Sequence, residues 1–482
     1  MDFFPEIFLI PVKAMYIMCT GFMGLFGIQQ LILLYWYWRS KEISQSLNFD
    51  HSSASLPFIT VQLPLYNEPL VVERLLEAVL QLQYPVEKLE VQILDDSTDQ
   101  TTEIIQKKIK SVHSAFSIFH LTRTNRKGFK AGALQNGLHT AKGEFLAIFD
   151  ADFLPEPEFL KKVIPFFNKQ DTAVVQSRWA HLNSNANLLT RLQAFGLDAH
   201  FTIEQNGRQS ADGFLNFNGT GGIWRKAAIL QAGGWSDDTL TEDLDLSYRV
   251  QLKGWRVIYL DSLCCPGELP ENLPALRSQQ YRWNKGGAQT AVKLLGAVLR
   301  SNVSYSKKWH AFFHLNSSAV FPAIWFACLS GVALLLGIKD PSNGQFKFGL
   351  WMFSGFLTVL IFYGVSAKVN RYSILPNVFF FLLFSLGLSW INTKAVVSGW
   401  LGKKSEFIRT PKSGLNPKKS QVFGLRFGQL LPEAFFGLLF ISFSVVGLIK
   451  QVYWLIPLHT LTGLGLLMLV FYGLKGSSNQ MS

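Results

Sequence analysis

The sequence predicts an α/β domain built on a parallel, doubly wound sheet, inserted between an N-terminal transmembrane helix and a C-terminal α-helical transmembrane region. Three observations predict it. Residues 7–38 carry no charged side chain except Lys13, and the run exceeds the ~20 residues a spanning helix needs. Between residues 57 and 300, short β-rich runs alternate with helical stretches, which is the pattern of a doubly wound sheet. Beyond residue 300 come five apolar runs near spanning length, at about 316–338, 347–366, 374–395, 430–449 and 453–473.

Residues 1–39 are read as the anchor. The apolar run is too long for a signal-peptide core and no small-residue cleavage site follows it, so it is expected to stay uncleaved. Arg39 and Lys41 place its far end in the cytoplasm. A polar, Ser-rich linker at 40–56 opens a cytoplasmic domain that extends to residue 300. Strands are expected there at 58–63, 89–94, 117–121, 145–149 and 173–176, and helices at 68–81 and 99–112. Residues 301–482 are read as an interfacial helix followed by membrane helices, because five near-spanning runs in succession exceed what buried core helices explain. Within them the connector 402–426 holds Lys403, Lys404, Arg409, Lys412, Lys418, Lys419 and Arg426 against Glu406 alone, and is expected to be cytoplasmic. Parity then requires one of the three preceding runs to be re-entrant or interfacial; the turn at 368–371 makes either of its neighbours a candidate.

Composition removes several classes. With 49% hydrophobic and 16% charged residues, the chain is too apolar for a disordered protein and too mixed for a purely membranous one. Four cysteines cannot form a disulfide framework in 482 residues and show no zinc-ligand spacing; a reducing compartment fits, and Cys264-Cys265 reads as structural. The formal charge of +12 does not point to nucleic acid. Residues 41–300 hold 27 basic and 28 acidic side chains, whereas 301–482 hold 16 and 3, so the excess belongs to the membrane region.

Ligands of open α/β sheets bind beyond the carboxyl ends of strands, and two such ends are acidic: Asp95-Asp96 and Asp150-Ala151-Asp152. Carboxylates there can bond a nucleoside or hold a divalent cation against a diphosphate, although Asp is also common in ordinary turns. Thr241-Glu242-Asp243 opens a helix; Thr241 as its cap and the acids as complements to its dipole suffice structurally. On a further helix Gln279, Arg282 and Trp283 share one face at i, i+3 and i+4. They offer an amide, a guanidinium suited to diphosphate and a ring on which a sugar can stack, while Lys285 and Lys293 equally permit a helix snorkelling at a membrane surface.

The ordered segments Tyr66-Asn67-Glu68, Asp95-Asp96, Arg126 through Lys130-Ala131-Gly132, Asp150-Ala151-Asp152, Phe217-Asn218-Gly219-Thr220, Thr241-Glu242-Asp243 and Gln279-x-x-Arg282-Trp283 resemble the signature of the membrane-embedded family 2 glycosyltransferases. These are the cellulose, mannan and hyaluronan synthases and their cellulose-synthase-like relatives. The resemblance spans nearly the whole chain, is specific for the superfamily and much less so for the sugar. It implies a GT-A fold, a nucleotide-sugar donor (UDP-glucose or GDP-mannose), inversion at the anomeric carbon and a divalent cation, Mg²⁺ or Mn²⁺. By matching motif, Tyr66, Glu68, Asp95, Asp96, Lys130, Asp150, Gln279 and Arg282 would bind the nucleotide sugar. Asp152, with Asp150, would meet the metal. Asp243 would be the general base beside Glu242 and Thr241, kept ionised by the helix N-terminus. Trp283 would form the floor under the acceptor, and Phe217, Asn218, Gly219 and Thr220 would line its end. The family often carries Cys where this chain has Asn218.

Phe407-Ile408-Arg409-Thr410-Pro411-Lys412 resembles the gating loop of processive members, with Arg409 and Pro411 departing from the commonest pattern; a lipid-facing basic loop is the plainer reading. Three matches to an N-glycosylation acceptor, at Asn218, Asn302 and Asn316, are short enough to be accidental. The leading expectation is a processive synthase that extends a β-linked, β-1,4 type polysaccharide and exports it through the lipid bilayer, with any envelope export partners unidentified. The alternatives are a lipid glycosyltransferase of the ceramide glucosyltransferase kind and a transporter or scaffold with a regulatory α/β domain, which would not need aspartates at three separated sites.

Overall fold

The computed structural model describes residues 6–44, 56–111, 116–337, 345–405, 409–412, 414 and 427–478. Seven strands among them form one sheet: β1 Ile59–Leu65, β2 Leu89–Asp95, β3 Ser117–Thr122, β4 Phe145–Ile148, β5 Thr172–His181, β6 Gly222–Arg225 and β7 Arg256–Gly267. Their order is β3-β2-β1-β4-β6-β5-β7. The sheet is mixed, not parallel: β6 runs antiparallel to both β4 and β5, while the other neighbours are parallel. Gly219 and Gly221, with φ of 88° and 69°, reverse the chain before β6, and only glycine takes such angles freely. Four residues behind a glycine-rich turn carry too little periodicity to read as a strand, which is why this reversal was not anticipated.

Both faces of the sheet are covered. On one side Ile59, Val61 and Leu63 pack with Leu75, Val79 and Phe159; on the other Leu146 and Ile148 pack with Leu134, Leu138 and Trp224. Burial on both faces explains the continuous apolar run of β4, whereas β1 and β2 alternate apolar with buried polar residues that bond across the strands, Thr60 to Glu90 at 2.7 Å and Gln62 to Gln92 at 2.9 Å. The first expected helix is shorter than the pattern implied. Asn67 takes φ of 54°, the Val71 and Val72 amides donate back to the Glu68 carbonyl, and the helix proper is Val72–Leu80.

The N-terminal helix, Glu6–Ser44, runs five residues past the end of the anchor read from sequence and packs against the helices Val320–Gly337 and Gln345–Val369. Among the described residues, four segments are long and apolar enough to cross a membrane, Leu9–Ser40, Ser317–Gly337, Leu431–Ile449 and Tyr453–Lys475, and a bent pair makes a fifth if it is one span. The run at 374–395 is broken. Helices Ile374–Gly387 and Ser389–Trp400 meet at 49°, where the Ser389 hydroxyl donates to the Leu386 carbonyl and accepts from Trp325 Nε1 at 2.9 Å. Side-chain bonds of this kind bend helices. The half after the bend lies along the long helix Leu273–Arg300. Glu406, Phe407, Lys418, Lys419 and Arg426 of the connector fall outside the described residues.

Candidate active site

The carboxyl ends of β1, β2 and β4 converge with the glycine turn before β6 and the end of β7 on a cavity of about 160 Å³. Antiparallel β6 is what brings Asn218 and Gly219 there, because its starting end lies beside the finishing end of β4.

At one end of the cavity stand Tyr66, Asp96 and Arg126. Asp96 is gripped by both arms of Arg123, through Nε at 2.8 Å and through Nη2, so its carboxylate orientation is fixed. The Arg126 guanidinium lies 3.3 Å from the Tyr66 ring centre. Asp95 does not line the cavity. It is buried behind it and accepts from His120 Nε2 at 2.9 Å, Thr102 Oγ1 at 2.7 Å and the Ser97 amide at 2.9 Å. Burial alone would raise its pKa, but these bonds outweigh burial and hold it down at about 2.

In the middle, Asp150 Oδ1 meets Lys130 Nζ at 2.6 Å, and Lys130 also donates to the Gly219 carbonyl at 2.9 Å and lies 3.8 Å from Glu242. Burial pulls the Lys130 ammonium down, but Asp150, Glu242 and Asp243 raise it overall. Asp152 Oδ2 accepts from the Glu268 amide at 3.1 Å and from Lys412 Nζ at 2.7 Å. Glu68 meets Arg409 Nη1 at 2.5 Å; burial nevertheless pushes its carboxyl up to about 8. Thr410 is buried and also borders the cavity.

At the far end the helix Glu242–Leu252 and the helix Leu273–Arg300 bring Glu242, Asp243, Gln279, Arg282 and Trp283 to the cavity. The two helices approach closely because position 286 is glycine: a Cβ there would lie 2.5 Å from Thr241 Cγ2. Thr241 is not the expected cap. Its side chain makes no capping bond and its hydroxyl instead pairs with that of Thr290 at 3.2 Å. Nor does the helix N-terminus keep Asp243 at an ordinary carboxylate pKa. Burial and the neighbouring Glu242 charge outweigh Lys130 and Arg282, and raise it to about 7.

Two expected lining residues stand behind the site. Phe217 is fully buried, edge-on to Trp224 at 5.5 Å. Thr220 is fully buried too, and its hydroxyl accepts from the Asp150 amide at 2.8 Å. Asn218 and Gly219 do reach the cavity; Asn218 Oδ1 accepts from Gln205 Nε2 at 3.0 Å. Trp179, His181 and Glu268 also line the cavity, and sequence patterns gave no sign of them. Trp179 extends the aromatic wall of Trp283, with ring centres 6.4 Å apart. Glu268 is held by Arg74 at 2.6 Å.

Asp150 and Asp152 form an all-oxygen donor pair that suits Mg²⁺ or Mn²⁺ completed by phosphate and water oxygens. No group of three or more His, Cys, Asp or Glu suited to a metal ion occurs among the described residues.

The family model described as glycosyltransferase like family 2 matches residues 57–286. Glucomannan 4-beta-mannosyltransferase 7 of Arabidopsis thaliana is 37% identical over 378 residues, covering 75% of this chain and 66% of that protein. Glucomannan 4-beta-mannosyltransferase 1 of Oryza sativa subsp. japonica is 37% identical over 377 residues, covering 75% and 70%. The chain thus spans about two thirds of the length of these relatives. Among solved structures, the mannosyltransferase PcManGT from Pyrobaculum calidifontis, in complex with GDP-Man and Mn²⁺, superposes with a TM-score of 0.57 at 19% identity, covering 82% of this chain and 100% of that one; it shares the GT-A fold. The motifs that converge on one cavity, the fold and the identity to these relatives together place the chain: it belongs to the family 2 glycosyltransferases, as a membrane-embedded, cellulose-synthase-like member.

Proposed function

We propose that the protein is an inverting, metal-dependent hexosyltransferase that adds mannose from GDP-mannose to the end of a growing β-1,4-linked glycan, and passes the chain across the bilayer through its own membrane helices. UDP-glucose is the alternative donor. The observation that carries this reading is that one cavity holds a cation-binding carboxylate pair, Asp150 and Asp152, and a separate carboxylate, Asp243, on the far side of Lys130. A single displacement needs just that separation: a leaving diphosphate at one end, an attacking hydroxyl at the other, and no enzyme nucleophile. The relatives' activity supports mannose and the β-1,4 linkage.

In this reading Tyr66 and Asp96 bind the nucleoside, with Asp96 aimed by Arg123. Lys130, Gln279 and Arg282 hold the diphosphate and stabilise the charge that builds as it leaves. Asp150 and Asp152 hold Mg²⁺ or Mn²⁺, which when bound neutralises that same charge. Asp243 takes the proton from the acceptor hydroxyl as it attacks the anomeric carbon from the opposite face. A base poised near neutrality is effective, and burial beside Glu242 supplies that poise. Trp283 and Trp179 offer ring faces under the acceptor sugar, and Asn218 lies at its end. A cytoplasmic catalytic domain is the orientation that the basic connector favours. Asp243→Asn tests the assignment: donor binding is expected to persist while transfer falls about 10²- to 10⁴-fold, and turnover like that of the unaltered protein would remove Asp243 as the base.

A further inference from the structure

The two carboxylates of the proposed cation site, and Glu68 beside them, are each already matched to a basic side chain. Asp150 meets Lys130 at 2.6 Å, Glu68 meets Arg409 at 2.5 Å and Asp152 meets Lys412 at 2.7 Å. Two of those three bases, Arg409 and Lys412, come from the connector far along the chain. The same segment also contributes the Gly414 amide, which donates to Glu268 Oε2 at 3.2 Å. Glu268 in turn donates its own amide to Asp152. Gly414 has φ of 64°, and a Cβ there would lie 2.6 Å from the Leu70 carbonyl, so the segment comes this close only because position 414 is glycine.

From this geometry we infer that Lys412 is an internal counter-cation for Asp152, occupying the divalent ion's place until that ion displaces it. Asp152 Oδ2 already accepts the Glu268 amide as well as Lys412, and the Asp152 side chain is only 5% exposed. A divalent cation therefore meets no unneutralised carboxylate there. Its double charge has to take the place of a single ammonium, and binding of the ion and release of Lys412 are one exchange. Lys130 keeps Gly219 and Glu242 as partners when Asp150 turns to a cation, whereas Lys412 has at Asp152 its one close carboxylate among the described residues and beside it the Glu268 carbonyl at the longer distance of 3.5 Å. Once displaced, the ammonium is free to meet an anionic group that arrives with the ion. Metal loading thereby sets the position of a residue that lies 260 positions away in sequence.

The inference rests on the reading of Asp152 as a cation ligand, and the experiment separates the two. The full-length protein in lipid nanodiscs is titrated with Mn²⁺ in the absence of donor, and free Mn²⁺ is followed by electron paramagnetic resonance. Lys412→Gln is expected to bind Mn²⁺ about two- to fivefold more tightly than the unaltered protein, the size of one ion pair. Unchanged or weaker binding overturns the exchange. Asp152→Asn is expected to lose the site; if it binds Mn²⁺ as the unaltered protein does, the cation reading itself fails. Amine acylation of the unaltered protein, read by mass spectrometry, provides a test independent of the variants' folding. Mn²⁺ should increase labelling at Lys412 several-fold, and labelling unaffected by Mn²⁺ contradicts the displacement.

Discussion

The raised pKa of Asp243 makes a quantitative prediction about pH. A base works only when ionised, so the rate of transfer at saturating donor and acceptor should follow the ionised fraction of Asp243. With a pKa of about 7, roughly a tenth of the protein is active at pH 6 and roughly nine tenths at pH 8, a rise of about tenfold. An ordinary aspartate would already be ionised throughout that range and would give a flat profile. The cause of the shift can be tested in the same assay. Glu242 is the charged neighbour that raises Asp243, and Lys130 and Arg282 oppose it. Glu242→Gln should therefore move the rising limb to lower pH, and Lys130→Met should move it to higher pH. The assay is the initial rate of labelled sugar incorporation between pH 5.5 and 8.5 at constant ionic strength, with metal held in excess. A level profile across that range, or a limb that Glu242→Gln leaves in place, would refute the reasoning.

Three other outcomes follow from the packing. Gly219→Ala places a Cβ 3.0 Å from Asp243 Oδ2 at a residue with φ of 88°, which strains the turn by about 1–2 kcal/mol; transfer should fall at least about tenfold while circular dichroism shows an intact fold. Trp283→Ala removes one of two neighbouring rings and should shorten the product and raise the acceptor KM about tenfold, with donor affinity measured by calorimetry nearly unchanged; the opposite split counts against stacking. Glu433, 1% exposed, meets Arg277 at 2.8 Å and ties the helix that carries Arg282 and Trp283 to the helix Leu431–Ile449. Glu433→Ala leaves Arg277 largely buried without its counter-ion, a cost of about 3–5 kcal/mol, so the thermal midpoint in detergent should drop markedly, and a midpoint that does not move argues against the pair as a structural tie.

The parts of the site that could be read from sequence share a physical cause. Asp96, Asp150 and Asp152 each follow a short β-rich run, alternating in β2 and continuously apolar in β4, so the strand end, and with it the acid, could be located. Gln279, Arg282 and Trp283 are spaced to fall on one helical face, and do. What stayed hidden depends on packing that has no local signature. β6 is four residues long, and its antiparallel direction follows from the two left-handed glycines before it. Phe217 carries a family motif but turns into the core, because a ring flanked by β6 and Trp224 gains more from burial than from the cleft. Thr241 has the right type and position for a cap, yet Gly286 lets a second helix come so near that its hydroxyl pairs with Thr290. Glu268, Trp179 and His181 follow from where β5 and β7 end, and β7 lies beyond the strands that the pattern located. The bend at residue 388 has no hydropathy signature, because it falls inside one apolar run and is marked by a single serine hydroxyl.

The central claim is that this chain builds a β-1,4-linked glycan from a nucleotide sugar. Purified protein in lipid nanodiscs, incubated with labelled GDP-mannose or UDP-glucose with and without Mn²⁺, tests it most directly once the product is sized and digested with linkage-specific hydrolases. The account predicts a long, metal-dependent, mannose-containing product cleaved by an endo-β-1,4-mannanase and absent with Asp243→Asn. A labelled lipid carrying a single sugar, or a polymer resistant to β-1,4-specific hydrolases, would contradict it.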